Sequence, residues 1–395
     1  MARAVWLLPA LLLASCETVP TTEDPVQLTV LGPPIAAEET GHKFIYQRPQ
    51  VPEGMPDDAS SAGLRAQGWS MLGREDRGAA LGGAEYREKT CDPLPASPEG
   101  LDEIADHIAK RAADHRIVII NESHTVTRTR ELTRLLLPRL RAMGFTVLSA
   151  EAFSSSKDSL APKAGHFENG WPHYQLGYYS REPAFGRLVR DALTLDYRLA
   201  THEQWHDPDA SPEADVNLSI ANREEAQARN LMAVLDGMGS DERLLVHVGY
   251  SHARETAITR DDGTKTEWMA ARLKNYTGLD PLTITQTQCR KASGAARLAQ
   301  TRSRIEGAFD IVVDHPVDTF EQGRAAWRTQ RGDLLVPIPA TLRPVSAPLV
   351  IEAFSEGEPQ DAVPMDRVFA EPGEDIALSL PPGRYYVRAV RLDED

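Results

Sequence analysis

The stretch RIVIINESH, Arg116 to His124, runs four branched apolar residues straight into Asn, Glu, Ser and His. A short run of that kind, bounded by polar residues, reads as a strand buried on both faces of a sheet. The pattern recurs in FTVLSAEAF (145–153), YRLATHEQW (197–205), LLVHVGYSH (244–252), residues 279–289 and FDIVVDHP (309–316). A segment of helical period leads into the first run, at 101–113, and others lie between later runs, at 128–143 and 220–238. The alternation predicts an α/β fold, a mostly parallel sheet with helices on both faces.

In such a sheet, ligands collect just beyond the carboxyl ends of the strands. Glu122 and His124, Glu151, Glu203 and His252 all fall at that predicted edge. His124 is a candidate general base, because an imidazole titrates near neutral pH; the alternative is a cap for the following helix. The tetrapeptides Asn121-Glu122-Ser123-His124 and Gly249-Tyr250-Ser251-His252 are alike. Two imidazoles around one pocket suit acid/base catalysis or a metal ion. Glu151 follows a buried strand and needs a partner, for which His124 is the expected one. His247, inside a strand, reads as a core residue.

Arg223, Gln227 and Asn230 form one polar stripe on the helix 220–238, which reads as a solvated face or, for Arg223 and Asn230, as reach toward a site carboxylate. Arg128, Arg130, Arg134, Arg139 and Arg141 read as a solvated helix face, and Pro138 as a kink or break in that helix. The aromatic-rich segment from Ser154 to Glu182 reads as a lid, or as a surface hairpin packing its own rings. Ser123 and Ser251 lack a Gly-x-Ser-x-Gly elbow, which disfavours a serine nucleophile.

The N-terminus is organised differently. An apolar run from Val5 to Ala14 is too short to span a bilayer and suits a cleaved signal peptide. Leu13-Ala14-Ser15-Cys16 looks like a bacterial lipobox, which implies a signal over 1–15, acylation of Cys16 and a lipid-anchored, periplasm-facing protein of the outer membrane. An ordinary secretory signal with a chance cysteine is the alternative. Residues 16–97 read as a tether and irregular segment, 98–340 as the α/β domain, and 341–395 as a small antiparallel β-domain. DLLVPIPA (333–340) reads as a last edge strand of the main sheet.

With 43 basic and 58 acidic residues, the net charge of −15 argues against nucleic acid as a partner. If Cys16 carries lipid, Cys91 and Cys289 remain in an oxidising compartment, as one long-range disulfide or as two free buried cysteines. There is no Cys-x-x-Cys to suggest a structural zinc site.

At these motifs the chain resembles the superfamily joining erythromycin esterases, ChaN-like haem-binding lipoproteins and TraB/Tiki-type proteins, over roughly 100–288. The Gly-x-x-His signature matches Gly249 to His252, and Asn121 to His124 with Asn in place of Gly; the family's second-strand Glu matches Glu151, and its Arg-Glu-x-x-x-Ala-x-Asn helix matches Arg223 through Asn230. The resemblance implies a site of Glu122, His124, Glu151 and His252, with Glu203, Arg223 and Asn230 around it. Its esterase branch implies water activated by His124 for attack on a small-molecule ester or amide. Its Tiki branch implies a divalent metal held by the same four residues, and its ChaN-like branch implies haem. A catalytically silent envelope scaffold is a third expectation.

Overall fold

Ile117 and Ile119 of RIVIINESH enter one apolar cluster and Val118 and Ile120 another, as the two-residue period of a strand requires. Both faces of this strand are therefore covered. The computed structural model describes residues 24–392 apart from 208, 210, 212, 260–262 and 302–304. The signal sequence, the lipobox and Cys16 lie outside the described residues.

In chain order the main elements are β1 (Val26–Val30), α1 (Ala59–Met71), α2 (Glu75–Ala80), α3 (Leu101–Ala112), β2 (Ile117–Glu122), α4 (Arg128–Arg141) and β3 (Phe145–Ala150). Then come α5 (Pro183–Thr194), β4 (Arg198–Thr201), α6 (Val216–Asp236), β5 (Arg243–Gly249), α7 (Met269–Thr277), β6 (Leu282–Lys291), β7 (Arg297–Ala299) and β8 (Ile311–Pro316). The C-terminal part holds β9 (Leu334–Pro337), β10 (Leu349–Ser355), β11 (Asp366–Ala370), β12 (Ala377–Leu380) and β13 (Gly383–Arg391).

The fold is α/β with several sheets, mixed when taken together. The main sheet runs β4-β3-β5-β2-β6-β8-β7. Its pairings are parallel except for β7 against β8. On one face α3, α4 and α5 pack through Ile104, Ile108, Leu132, Leu136, Phe185 and Leu188. On the other, α6 and α7 pack through Leu231, Val234, Leu235, Met269 and Leu273. No described helix is long and apolar enough to cross a membrane.

Several sequence expectations need correction. The second sheet, β1-β13-β10-β11, is not purely antiparallel or C-terminal, because β1 from the segment read as a tether pairs parallel with β13. That segment also forms α1 and α2. β9 pairs antiparallel with β12, so the 333–340 stretch joins the β-module rather than the main-sheet edge. Helix α4 runs through Pro138 as one assigned helix. Arg128 and Arg130 on it are buried, not solvated.

The β-module is fastened to the α/β layers by buried charge. Arg187 of α5 donates to Asp333 at 2.9 Å and to the Ser379 carbonyl at 2.8 Å. Glu352 accepts from Arg367 at 2.7 Å, Arg388 at 2.9 Å and Tyr174 at 2.8 Å. Tyr174 comes from the segment expected to be a lid, so that part of it cements two layers. Cys91 and Cys289 form a disulfide with Cα atoms 5.7 Å apart, tying the N-terminal segment to β6.

Candidate functional site

His124 stands just past the end of β2. Its Nδ1 lies 2.9 Å from Glu122 Oε1, so the strand-end spacing does place these two side chains together. One face of the ring stacks on Tyr179, with centroids 3.8 Å apart and planes 11° apart, and Tyr250 meets it edge-on at 4.9 Å. Tyr179 is the part of the Ser154 to Glu182 segment that lies over the His124 ring.

Glu122 is buried with three partners. Arg130 donates from Nε at 2.6 Å, and His247 Nε2 lies 3.1 Å from the same carboxylate. Burial would raise the Glu122 carboxyl, but Arg130 and the bonds from His124 and His247 hold it well below the usual range. Arg130 also binds Glu182 at 2.6 Å, the N-cap of α5 directly after the turn that carries Tyr179. The base, its carboxylate and the covering turn are thus linked through one guanidinium.

Gly249 ends β5 beside the ring. A Cβ there would sit 2.6 Å from His124 Cε1, 2.7 Å from Nε2 and 3.1 Å from Glu151 Oε2. Glycine is required by close approach rather than by dihedral angle, since φ is −82°. Its absent side chain lets His124 Nε2 and Glu151 flank one point. The next residue, Tyr250, has φ +40°, uncommon for a bulky residue and found where surroundings enforce it.

Glu151 was expected to partner His124, but its bonds run elsewhere. It accepts the Gly249 N–H at 2.5 Å and pairs with Arg223, while His252 Nε2 stands 3.5 Å away. Burial would raise this carboxyl; His252, His124 and Arg223 hold it well below its ordinary value. His252 in turn forms an ion pair with Glu224, Nδ1 to Oε1 2.7 Å. Burial would lower its pKa, but Glu151 and Glu224 raise it to about 10, so His252 is a cation at neutral pH.

Arg223 spans Glu151 and Glu203, donating from Nε to Glu203 at 3.0 Å, and its side chain keeps 34% exposure. Gln227 reaches Glu203 at 3.2 Å. Asn230 instead donates to the His202 and Glu203 carbonyls at 3.2 Å, fixing the β4 exit rather than touching a carboxylate. Asn121, which replaces the family Gly, donates to the Tyr250 carbonyl at 2.5 Å and accepts the Gln286 N–H at 2.7 Å. It clamps the strained turn to β2 and β6.

The four residues do not fit a divalent metal. Among the described residues no cluster of three or more His, Cys, Asp or Glu could hold one. Both carboxylates already face a guanidinium, and His252 is a cation between Glu151 and Glu224. A metal would have to displace those charges. The site does not resemble an exposed haem patch either, since the four side chains are 12% exposed or less.

Sequence reading missed the roles of Arg130, Tyr250, Glu224 and His247. Tyr250 and Glu224 carried a local signal, lying inside the Gly-x-x-His and Arg-Glu-x-x-x-Ala-x-Asn matches, and Tyr179 lay in the aromatic segment read as a lid.

No protein family matches the chain, and no curated protein does. Among solved structures, one described as bacterial protein toxins matches 48% of this chain and 37% of its own, at 16% identity and TM-score 0.34. The type III effector HopBA1 matches at 15% identity and TM-score 0.34 over 59% of this chain and 98% of its own. RRSP, a MARTX toxin effector domain from Vibrio vulnificus CMCP6, matches at 14% identity and TM-score 0.35 over 65% of this chain and 50% of its own. The chain thus spans only about a third of the first of these structures. At these scores the likeness assigns no function.

Proposed function

We propose that this chain is a hydrolase in which Glu122 and His124 activate water against an ester-like or amide bond. The observation that carries this is the state of the His124 ring. Nδ1 is held by Glu122, Tyr179 and Tyr250 fix the plane, and the Nε2 edge faces the Gly249 gap beside Glu151. A base tied at one nitrogen by an ionised carboxylate keeps the other nitrogen free as acceptor.

Water oxygen attacks the carbonyl carbon while its proton passes to His124 Nε2. The tetrahedral oxyanion lies in the field of Arg223 and protonated His252; charge fixed in advance in a dry site is the most effective kind of stabilisation. His124 then gives the proton to the leaving group as the bond breaks. The shared burial of these side chains around one point favours this reading over haem binding or a silent scaffold.

This reading agrees with what the esterase branch of the resemblance implies. The lipobox motif supports anchoring through Cys16 to the outer membrane, facing the periplasm, where a Cys91–Cys289 disulfide is at home. The test is a panel of ester and amide substrates with wild type, His124→Ala and Glu122→Gln. Loss of about 10²–10⁴-fold in kcat for His124→Ala is expected. Turnover unchanged in that variant would overturn the proposal.

A further inference from the structure

Tyr250, which meets the edge of His124, also lines a second cavity of about 130 Å³. Glu85, Lys89, Ser251, Gln288 and Arg290 share its wall. Pockets that enclose a whole small ligand measure about 300–1,000 Å³, so this one fits a substituent rather than a complete molecule.

Arg290 is only 3% exposed, and its Nη1 has no hydrogen-bond partner. Buried guanidinium groups are ordinarily paired. The two aspartates whose charge acts on it are committed elsewhere: Asp318 pairs with Arg128 at 2.5 Å and Asp314 with Arg297 at 3.1 Å. Arg290 forms no salt bridge among the described residues, and burial pushes its pKa down.

The cavity wall is held firmly. Lys89 and Arg290 exchange backbone hydrogen bonds of 2.8 and 2.9 Å, and Cys289, beside Arg290, is disulfide-bonded to Cys91. Lys89 adds an exposed cation at the rim, while Glu85 adds a carboxylate whose Oε1 stands 3.5 Å from the Tyr250 hydroxyl.

We infer that this cavity is an anion subsite that seats one carboxylate or phosphate group on Arg290, with Lys89 at its rim. Because Tyr250 and Ser251 join the cavity to His124 and His252, the anionic group belongs to the substrate. The hydrolase would then select anionic esters or amides. That selection rests on the hydrolase reading; the anion site itself does not.

The test therefore reads binding without turnover. Full-chain His124→Ala is titrated with inorganic phosphate and separately with acetate by calorimetry. Saturable binding is expected, and the tighter of the two ions identifies the group. Arg290→Gln should weaken it by at least about tenfold, the effect of losing a charged hydrogen-bond partner. Lys89 is exposed, so Lys89→Glu tests the same site without disturbing the core and should weaken binding about threefold. Glu85→Gln should tighten it. Absent binding, or binding unaltered in Lys89→Glu and in a folded Arg290→Gln, would overturn the inference. Anion binding in a protein that hydrolyses nothing would refute the hydrolase reading alone.

Discussion

Replacing Gly249 by Ala isolates what the close approach of β5 to His124 is for. At φ −82° and ψ 148° alanine fits the backbone without strain, so the consequence is steric and confined to the site. The new Cβ would stand 2.6 Å from His124 Cε1 and 2.7 Å from Nε2, where comfortable contact is about 3.5–4.0 Å. The ring must therefore retreat by roughly 1 Å. It cannot do so freely, because Tyr179 stacks on one face and Glu122 holds Nδ1. Overpacking of this kind costs about 1–3 kcal/mol of stability. A displacement of about 1 Å in a reacting group costs on the order of 10²-fold in rate. The expected variant is folded, somewhat less stable in urea, and about a hundredfold slower. Its His124 imidazole resonances should lose the ring-current shift that Tyr179 imposes, a readout that needs no substrate. Wild-type kcat with unshifted resonances would refute the argument that Gly249 exists to admit the His124 ring.

Three further predictions follow from buried charge and covalent ties. Arg130→Met strands Glu122 and Glu182 without their guanidinium and should cost about 3–5 kcal/mol in urea unfolding, with partial recovery in Arg130→Met/Glu122→Gln. His252 is raised from 6.5 to about 10, so its contribution to stability is fully present below pH 6.5 and is lost as pH rises through about 10. A comparison of wild type with His252→Gln by thermal melting across that window should show the slope only in wild type, and wild-type turnover should fall on the same alkaline limb. Reduction of Cys91–Cys289, or Cys91→Ala/Cys289→Ala, should lower stability by about 2–5 kcal/mol, since the bond closes a loop of 198 residues. Equal denaturation midpoints with and without reductant would contradict it.

The strands and their polar ends were legible because a buried parallel strand has a local signature, a solid apolar run that stops at the edge. RIVIINESH and LLVHVGYSH carry that signature, and with it Glu122, His124 and His252. The arginines of α4 were not legible. A helix reading counts Arg as solvent-facing, and what buries Arg130 is a pair of carboxylates from β2 and from the start of α5. Glu224 stood inside the Arg-Glu-x-x-x-Ala-x-Asn match, but its partner was hidden, since the ion pair with His252 depends on α6 crossing the β5 exit. Helices α1 and α2 were read as irregular because Ala, Ser and Gly dominate them and leave no clear apolar stripe. DLLVPIPA was recognisable as a strand, yet nothing local could say that its partner would be β12.

The parallel pairing of β1 with β13 has a consequence for biogenesis. Val26 to Val30 register against Gly383 to Val387, so the first described strand docks on the last described one. Until β13 has been made, β1 lacks its partner strand, while the α/β core that lies between the two in the chain is free to form. The closing step is slow in the way that distant pairings are slow, and it exposes the chain to misjoining with a neighbour. The β-module is therefore the part of this protein whose assembly would lean on a chaperone.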